Sequence, residues 1–144
     1  MQINGEWLLF DDGIARPVIR GEVLGNTGLW ESAEFLIDTG ADRTVFSAPT
    51  LAMLQLPSIV TQDRIGGLGR TADSVAVETQ IRFGHEAGGT VTFRGQYTAV
   101  TAEEALDISV LGRDIIGLFA VIVDQPGNVV CLLGQRHRYR IEQP

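Results

Sequence analysis

Lysine is absent, so all eleven positive charges are arginine, and against eighteen acids they leave a net charge of −7. An acidic chain without a basic stripe argues against nucleic acid as its principal partner. The lack of lysine by itself assigns no function. Cysteine is almost absent as well. Cys131 stands alone, which excludes an intrachain disulfide and gives no sign of an oxidising compartment. Within Val129-Val130-Cys131-Leu132-Leu133 it reads as a small core residue. Long apolar runs are missing too: the longest, Ile115 to Val123, is too short to span a bilayer, so no membrane partner is expected. Residues 1–6 lack the basic-then-apolar layout of a signal peptide, and the chain is expected to be soluble and cytoplasmic. Histidine occurs twice, as His85 and His137, too far apart for paired ligands, so no metal and no cofactor are expected.

What remains is an ordinary globular composition, 44% hydrophobic and 20% charged, and a length of 144 residues that suits one domain. Turn signals divide the chain into short strands. Glu6 to Phe10 and Ile14 to Leu24 flank the hairpin turn Asp11-Asp12-Gly13, and Gly25 to Gly28 turns into a strand from Trp30 to Ile37. A short extended piece, Thr44 to Phe46, precedes a helix with Ser47 as N-cap, Pro49 in its first turn and Leu51, Leu54 and Leu56 on one face, ended by Pro57. Ser58 to Ile65 and Thr71 to Phe83 form a hairpin with its tip at Gly66-Gly67-Leu68-Gly69. Its second arm alternates Val75, Val77, Thr79 and Ile81 with polar neighbours, the period of a half-buried strand. Further strands are expected at Thr90 to Val100, Ile108 to Leu111, Phe119 to Val123 and Val129 to Leu133. A loop or helical turn falls at Thr101 to Asp107 and a short helix at Arg113 to Leu118. The basic stretch Gln135 to Arg140 reads as a solvated edge or frayed end.

One stretch carries chemistry. In Phe35-Leu36-Ile37-Asp38-Thr39-Gly40-Ala41-Asp42-Arg43 an apolar strand ends on an acid, a small hydroxyl residue and a glycine. Burying an ionised acid is costly without compensation, and a tight turn at Gly40 can aim backbone N–H groups back at Asp38. Asp-x-Gly alone is equally compatible with an ordinary strand-end turn. Phe10-Asp11-Asp12-Gly13 imitates the pattern poorly, with Asp in place of Thr and a strand following directly, and is read as a turn.

Leu36 to Ser47 resembles the active-site segment of retropepsin-like aspartic proteases, in which two apolar residues precede Asp-Thr-Gly-Ala. Ile65-Gly66-Gly67-Leu68-Gly69 resembles the family's glycine-rich flap, and Val110-Leu111-Gly112-Arg113-Asp114 its apolar-apolar-Gly-Arg motif. The three occur in the family's order, and the resemblance spans roughly residues 14 to 134, with extensions at both ends. It implies a mainly β acid-protease barrel with one or two short helices, and a catalytic Asp38-Thr39-Gly40. Ala41, Asp42, Arg43, Val45, Ile65, Gly66, Gly67, Leu68, Ile108 and Val110 then contact substrate, and Arg113 supports the loop by pairing with Asp42. Arg43 would bias its subsite toward acidic or polar side chains.

Aspartic peptidases need two carboxylates sharing a proton, and this chain offers one credible Asp-Thr-Gly. The second must come from another copy across a two-fold axis, which makes a homodimeric endopeptidase acting on peptide or protein the leading expectation. The alternative is a catalytically inactive peptide-binding or dimerisation module on the same fold. A nucleophile or metal hydrolase is disfavoured, because neither Gly-x-Ser-x-Gly nor His-Glu-x-x-His is present. Arg70, Asp114, the helix from Ser47 and the two extensions depart from the viral pattern, and bear on the flap and the dimer-interface strands more than on the chemistry.

Overall fold

The computed structural model describes residues 1–67, 70–134 and 140–143, with side chains left out of the description from 60 to 72. The strands are β1 (Gln2–Asn4), β2 (Glu6–Leu9), β3 (Ala15–Leu24), β4 (Trp30–Ile37), β5 (Val45–Phe46), β6 (Ser58–Gly67) and β7 (Arg70–Gly84). They continue with β8 (Thr90–Val100), β9 (Ser109–Leu111), β10 (Ala120–Asp124) and β11 (Val129–Leu133). Two helices, α1 (Ala48–Leu54) and α2 (Arg113–Ile116), and one 3-10 turn at Glu103–Ala105 complete the described elements.

Two sheets result. The larger runs β2-β3-β4-β9-β5-β8-β7-β6, and a second contact of β3 with β7 curls it toward a barrel; the smaller runs β1-β11-β10. Most pairings are antiparallel, as hairpin connections require, but β4 and β9 lie parallel, with Leu36 beside Val110 and Ile37 beside Leu111. Two segments far apart in sequence therefore end side by side, and both end at the Asp38 loop. Aromatic residues are few, but six rings form a continuous chain in and against the core. Phe35 meets Phe46 and Phe83 at 6.2 and 5.8 Å, Phe46 meets Tyr97, and Phe83 leads through Phe93 to Phe119. Tilted and edge-on contacts of this kind add to the area they bury. Burial, reinforced by the charge of Asp114, pushes the Tyr97 hydroxyl up to about 12, so Tyr97 stays neutral and donates to the Phe93 carbonyl.

Helix α1 starts and stops as its sequence dictates. Ser47 caps it through Oγ to the Thr50 N–H, Pro49 sits in the first turn, and Gln55 takes a left-handed conformation that ends it before Pro57. The hairpin of β6 and β7 is longer than the glycines suggest. Gly66 and Gly67 lie inside the ladder, opposite Thr71 and Arg70, and Leu68 and Gly69, read as part of the tip, lie outside the described residues. So does Gln135 to Tyr139, most of the basic stretch.

The first residues are structural, not an appendage. β1 pairs with β11, placing Ile3 opposite Leu132 in the core. Gly5 then carries the chain from one sheet to the other, and a Cβ there would fall under 3.0 Å from Val130 and Ile19. The outer edge of β1 is closed by the turn after β7. Glu86 accepts from the Gln2 N–H at 2.5 Å, and its own N–H donates to the Gln2 carbonyl at 3.1 Å. The Gln2 hydrogen bond holds the Glu86 carboxyl below its usual range. Cys131 is buried, which pushes its thiol up, away from reactivity. No described helix is long and apolar enough to cross a membrane.

Candidate active site

The Asp38 loop is built on the paired ends of β4 and β9. Asp38 N–H donates to the Leu111 carbonyl at 3.2 Å, extending the parallel ladder by one residue. The chain then turns sharply: Ala41 N–H returns to the Asp38 carbonyl at 3.2 Å, and Gly40 N–H donates to Asp38 Oδ1 at 2.9 Å. Gly40 thus supplies the aimed amide that the sequence suggests. Asp38 is half-buried, while Thr39 and Gly40 are exposed.

The remainder of the loop is fixed by α2. The first amides of a helix have no partners within it and must find them elsewhere. Here the loop provides them. Gly112 N–H donates to Thr44 Oγ1 at 3.1 Å, Arg113 N–H to the Ala41 carbonyl at 2.8 Å and Asp114 N–H to the Asp42 carbonyl at 3.2 Å. Asp114 replies through Oδ1, accepting from the Thr44 amide at 2.9 Å and the Thr44 hydroxyl at 2.7 Å. Thr44 is fully buried, so this carboxylate satisfies polar groups that water cannot reach. Among the described residues, no buried side-chain polar atom lacks a partner. Asp114 and Thr44 are the site residues that sequence reasoning missed. The signal was present, since an acid in the first turn of a helix is well placed to accept from backbone and hydroxyl donors.

Arg113 does meet Asp42, and its guanidinium also reaches a second point on the loop. Nη2 donates to Asp42 Oδ1, while Nη1 reaches the Thr39 carbonyl at 3.4 Å. The fork spans the loop from residue 39 to residue 42. Both side chains are mostly exposed, so the charge attraction is screened and the geometric tie matters more. We expect Arg113→Lys, which keeps the charge but loses the planar fork, to leave the melting temperature within a few degrees and cut peptide turnover severalfold or more. Wild-type turnover in that variant would show the tie to be idle.

The other candidates are more scattered. Val45 and Val110 face one another across the β5/β9 pair and are largely buried in the single chain. Ala41 is half-buried and Arg43 exposed. Ile65 and Gly66 lie in β6 opposite Ala72 and Thr71. Ile108 lines an open groove of about 380 Å³ with Leu8, Phe10, Met53, Glu34 and Asp107, a groove whose walls include none of residues 38–43. His85 accepts from the Ala87 amide at 3.3 Å, and among the described residues no group of three or more His, Cys, Asp and Glu is arranged to hold a metal.

A family profile described as aspartyl protease matches residues 19–115, from β3 through the start of α2. Among solved structures, EIAV protease complexed with the inhibitor HBY-793 superposes with a TM-score of 0.50 at 22% identity, covering 71% of this chain and 86% of that one. A retropepsin-like aspartic protease from Rickettsia conorii superposes with a TM-score of 0.50 at 18% identity, covering 92% of this chain and 88% of that one. A search among curated protein sequences returned no match. The profile covers well over half of the residues, and the strand-end Asp-Thr-Gly loop braced by Gly-Arg-Asp lies within it: the chain belongs to the aspartyl protease family and has a retropepsin-like fold.

Proposed function

We propose that the protein is a homodimeric aspartic endopeptidase whose catalytic pair is Asp38 from each of two protomers. The observation that carries this reading is the contrast among three neighbouring acids. Asp42 is tied to Arg113 and Asp114 to Thr44, whereas among the described residues the half-buried Asp38 carboxylate meets a single backbone amide. One carboxylate cannot both take and give a proton in the same step. Two of them about 3 Å apart cannot both ionise, so a pair holds one proton between them.

In that pair the ionised carboxylate takes a proton from water as its oxygen attacks the scissile carbonyl carbon. The protonated carboxyl donates to the carbonyl oxygen, giving a neutral diol-like tetrahedral intermediate. Collapse of that intermediate, with a proton passed to the departing amine nitrogen, breaks the C–N bond. Thr39, exposed beside Asp38, ties the two loops together across the axis. Gly40 holds the Asp38 carboxylate in orientation through its amide.

Peptide would lie extended over the loop. Ala41, Asp42 and Arg43 line it from below, Val45 and Val110 form the apolar walls beside the pair, and the β6–β7 hairpin covers it. Ile108, in its separate groove, serves positions farther from the scissile bond.

The test is cleavage of a peptide library across acid to neutral pH, with and without a statine-type mimic of the tetrahedral state. We expect cleavage that the mimic suppresses at concentrations at least a hundredfold below those of a matched substrate peptide, because a catalyst binds its transition state more tightly than its substrate. Binding of peptides without any cleavage would favour an inactive binding module instead.

A further inference from the structure

The groove that holds Ile108 is built largely from parts of the chain that depart from the viral pattern. Leu8 and Phe10 precede the residues matched by the family profile, and Met53 lies on α1. With Ile108 these make its apolar lining, and each is at least partly exposed. Its charged lining is of one sign, Glu34 and Asp107, both exposed. Phe35 stands beside Ser109 in the parallel β4/β9 pair, so Glu34 and Asp107, one and two residues earlier, come to the same end of the groove. The cations around them are engaged. Arg16 uses both terminal nitrogens on Asp12, at 3.1 and 2.6 Å, and Arg20 lies 2.9 Å from Glu6 but 3.8 Å from Glu34. Three hydroxyls complete the lining. Ser47 and Ser109 each donate to Thr50 Oγ1, at 3.1 and 3.2 Å, which takes both lone pairs of Thr50 and leaves its own proton to donate.

We propose that this groove binds a lysine or arginine side chain of the polypeptide substrate, away from the bond that is cut. This rests on the paired-Asp38 reading and names a feature of the substrate that the Asp38 loop itself does not select. The fit is one of parts. A long basic side chain has an aliphatic stem and a charged head. The stem lies along Phe10, Met53 and Ile108, the head reaches Glu34 and Asp107, and the Thr50 hydroxyl donates to a carbonyl of the peptide backbone. An acidic side chain is repelled here, and an apolar one draws nothing from the two carboxylates. Ile108 stands three residues before Leu111, whose carbonyl accepts from the Asp38 amide, which is about 10 Å of extended strand. An extended peptide covers that distance in about three residues, which sets the spacing between the basic residue and the cut. Because both acids are exposed, water screens their attraction, and the preference is severalfold, not orders of magnitude.

The groove is tested first without cleavage, by following amide resonances of the wild-type protein as Nα-acetyl-lysine N-methylamide is added. Saturable shifts at Thr50, Ile108 and Ser109 are expected, and they should weaken as salt is raised. The same probe acetylated at Nζ, and the norleucine analogue that keeps the stem without the head, should each bind at least about threefold more weakly. So should the lysine probe to a Glu34→Gln, Asp107→Asn double variant, whose substitutions keep size at exposed positions and so leave the fold intact. No shifts at the groove, or equal binding of the charged and neutral probes, overturns the proposal. Cleavage of the peptide library then tests the role in substrate choice. Among peptides that are cut, a basic residue at one fixed spacing should lower KM at least about threefold with kcat nearly constant, and the double variant should lose that preference. Cleavage indifferent to basic residues, or a preference that survives in the double variant, also overturns it. A library left uncut counts against the paired-Asp38 reading instead, and the titration still decides whether the groove takes a basic side chain.

Discussion

Asp38→Asn is expected to abolish peptide cleavage while leaving the fold and the dimer intact. The amide is nearly isosteric with the carboxylate, and its oxygen can still accept from the Gly40 N–H that now bonds Oδ1 at 2.9 Å. Packing beneath the loop is unchanged, because Phe35 and Ile37 are the buried residues there and Asp38 is only half-buried. Chemically the change is complete: an amide neither takes a proton from water nor shares one with its mate. Positioned acid–base groups are worth on the order of 10²–10⁴-fold each, and in a homodimer one substitution removes both. The cleavage rate should fall by at least about 10³-fold at every pH tested, with the melting temperature unchanged or slightly raised. Retention of more than about a tenth of wild-type cleavage, far above what general acid–base loss permits, would move the chemistry away from Asp38.

Gly112→Ala should damage both stability and activity. Gly112 has φ −96°, which any residue adopts, so the requirement for glycine is not conformational. It is one of space, since a Cβ would fall under 3.0 Å from the backbone N, C and O of Arg43. Backbone cannot swing aside as a flexible side chain can, so either the loop or α2 must move. Overpacking of this kind costs about 1–3 kcal/mol, occasionally more. The displaced contacts are those that hold the loop: Gly112 to Thr44, Arg113 to Ala41 and Asp114 to Asp42. A displacement of an ångström at a catalytic loop is enough to cost about 10²-fold in rate. Urea unfolding and steady-state cleavage of the same preparation measure the two effects. Wild-type stability would mean that the two segments part without cost.

The local rules were legible in the sequence because each depends on residues close together. Ser47 with Pro49, the Asp11-Asp12-Gly13 turn and the alternation of Val75 to Ile81 specify their own elements, and the structure contains them. The strand-end Asp38 and its Gly40 amide were legible for the same reason. What was hidden depends on contacts distant in sequence. Asp114 looked like a departure from a pattern until Thr44, seventy residues away, was found donating to it. Nothing in Gln2-Ile3-Asn4 is long enough to announce a strand; only its partner, β11, makes it one. The reach of the β6–β7 ladder was hidden in the same way: Gly66 and Gly67 are paired in it, a choice made by the opposite arm and not by the glycines.

The central claim is that one active site needs two copies of Asp38. The most direct measurement mixes wild-type chains with Asp38→Asn chains at fixed total concentration, under conditions where protomers exchange, and follows cleavage against the wild-type fraction. If the site is shared, mixed dimers are inactive and activity follows the square of that fraction, so an equal mixture retains about a quarter of the full rate. Activity that instead falls in direct proportion, to about half in the equal mixture, would mean that each chain carries a complete site, contrary to a shared two-fold site.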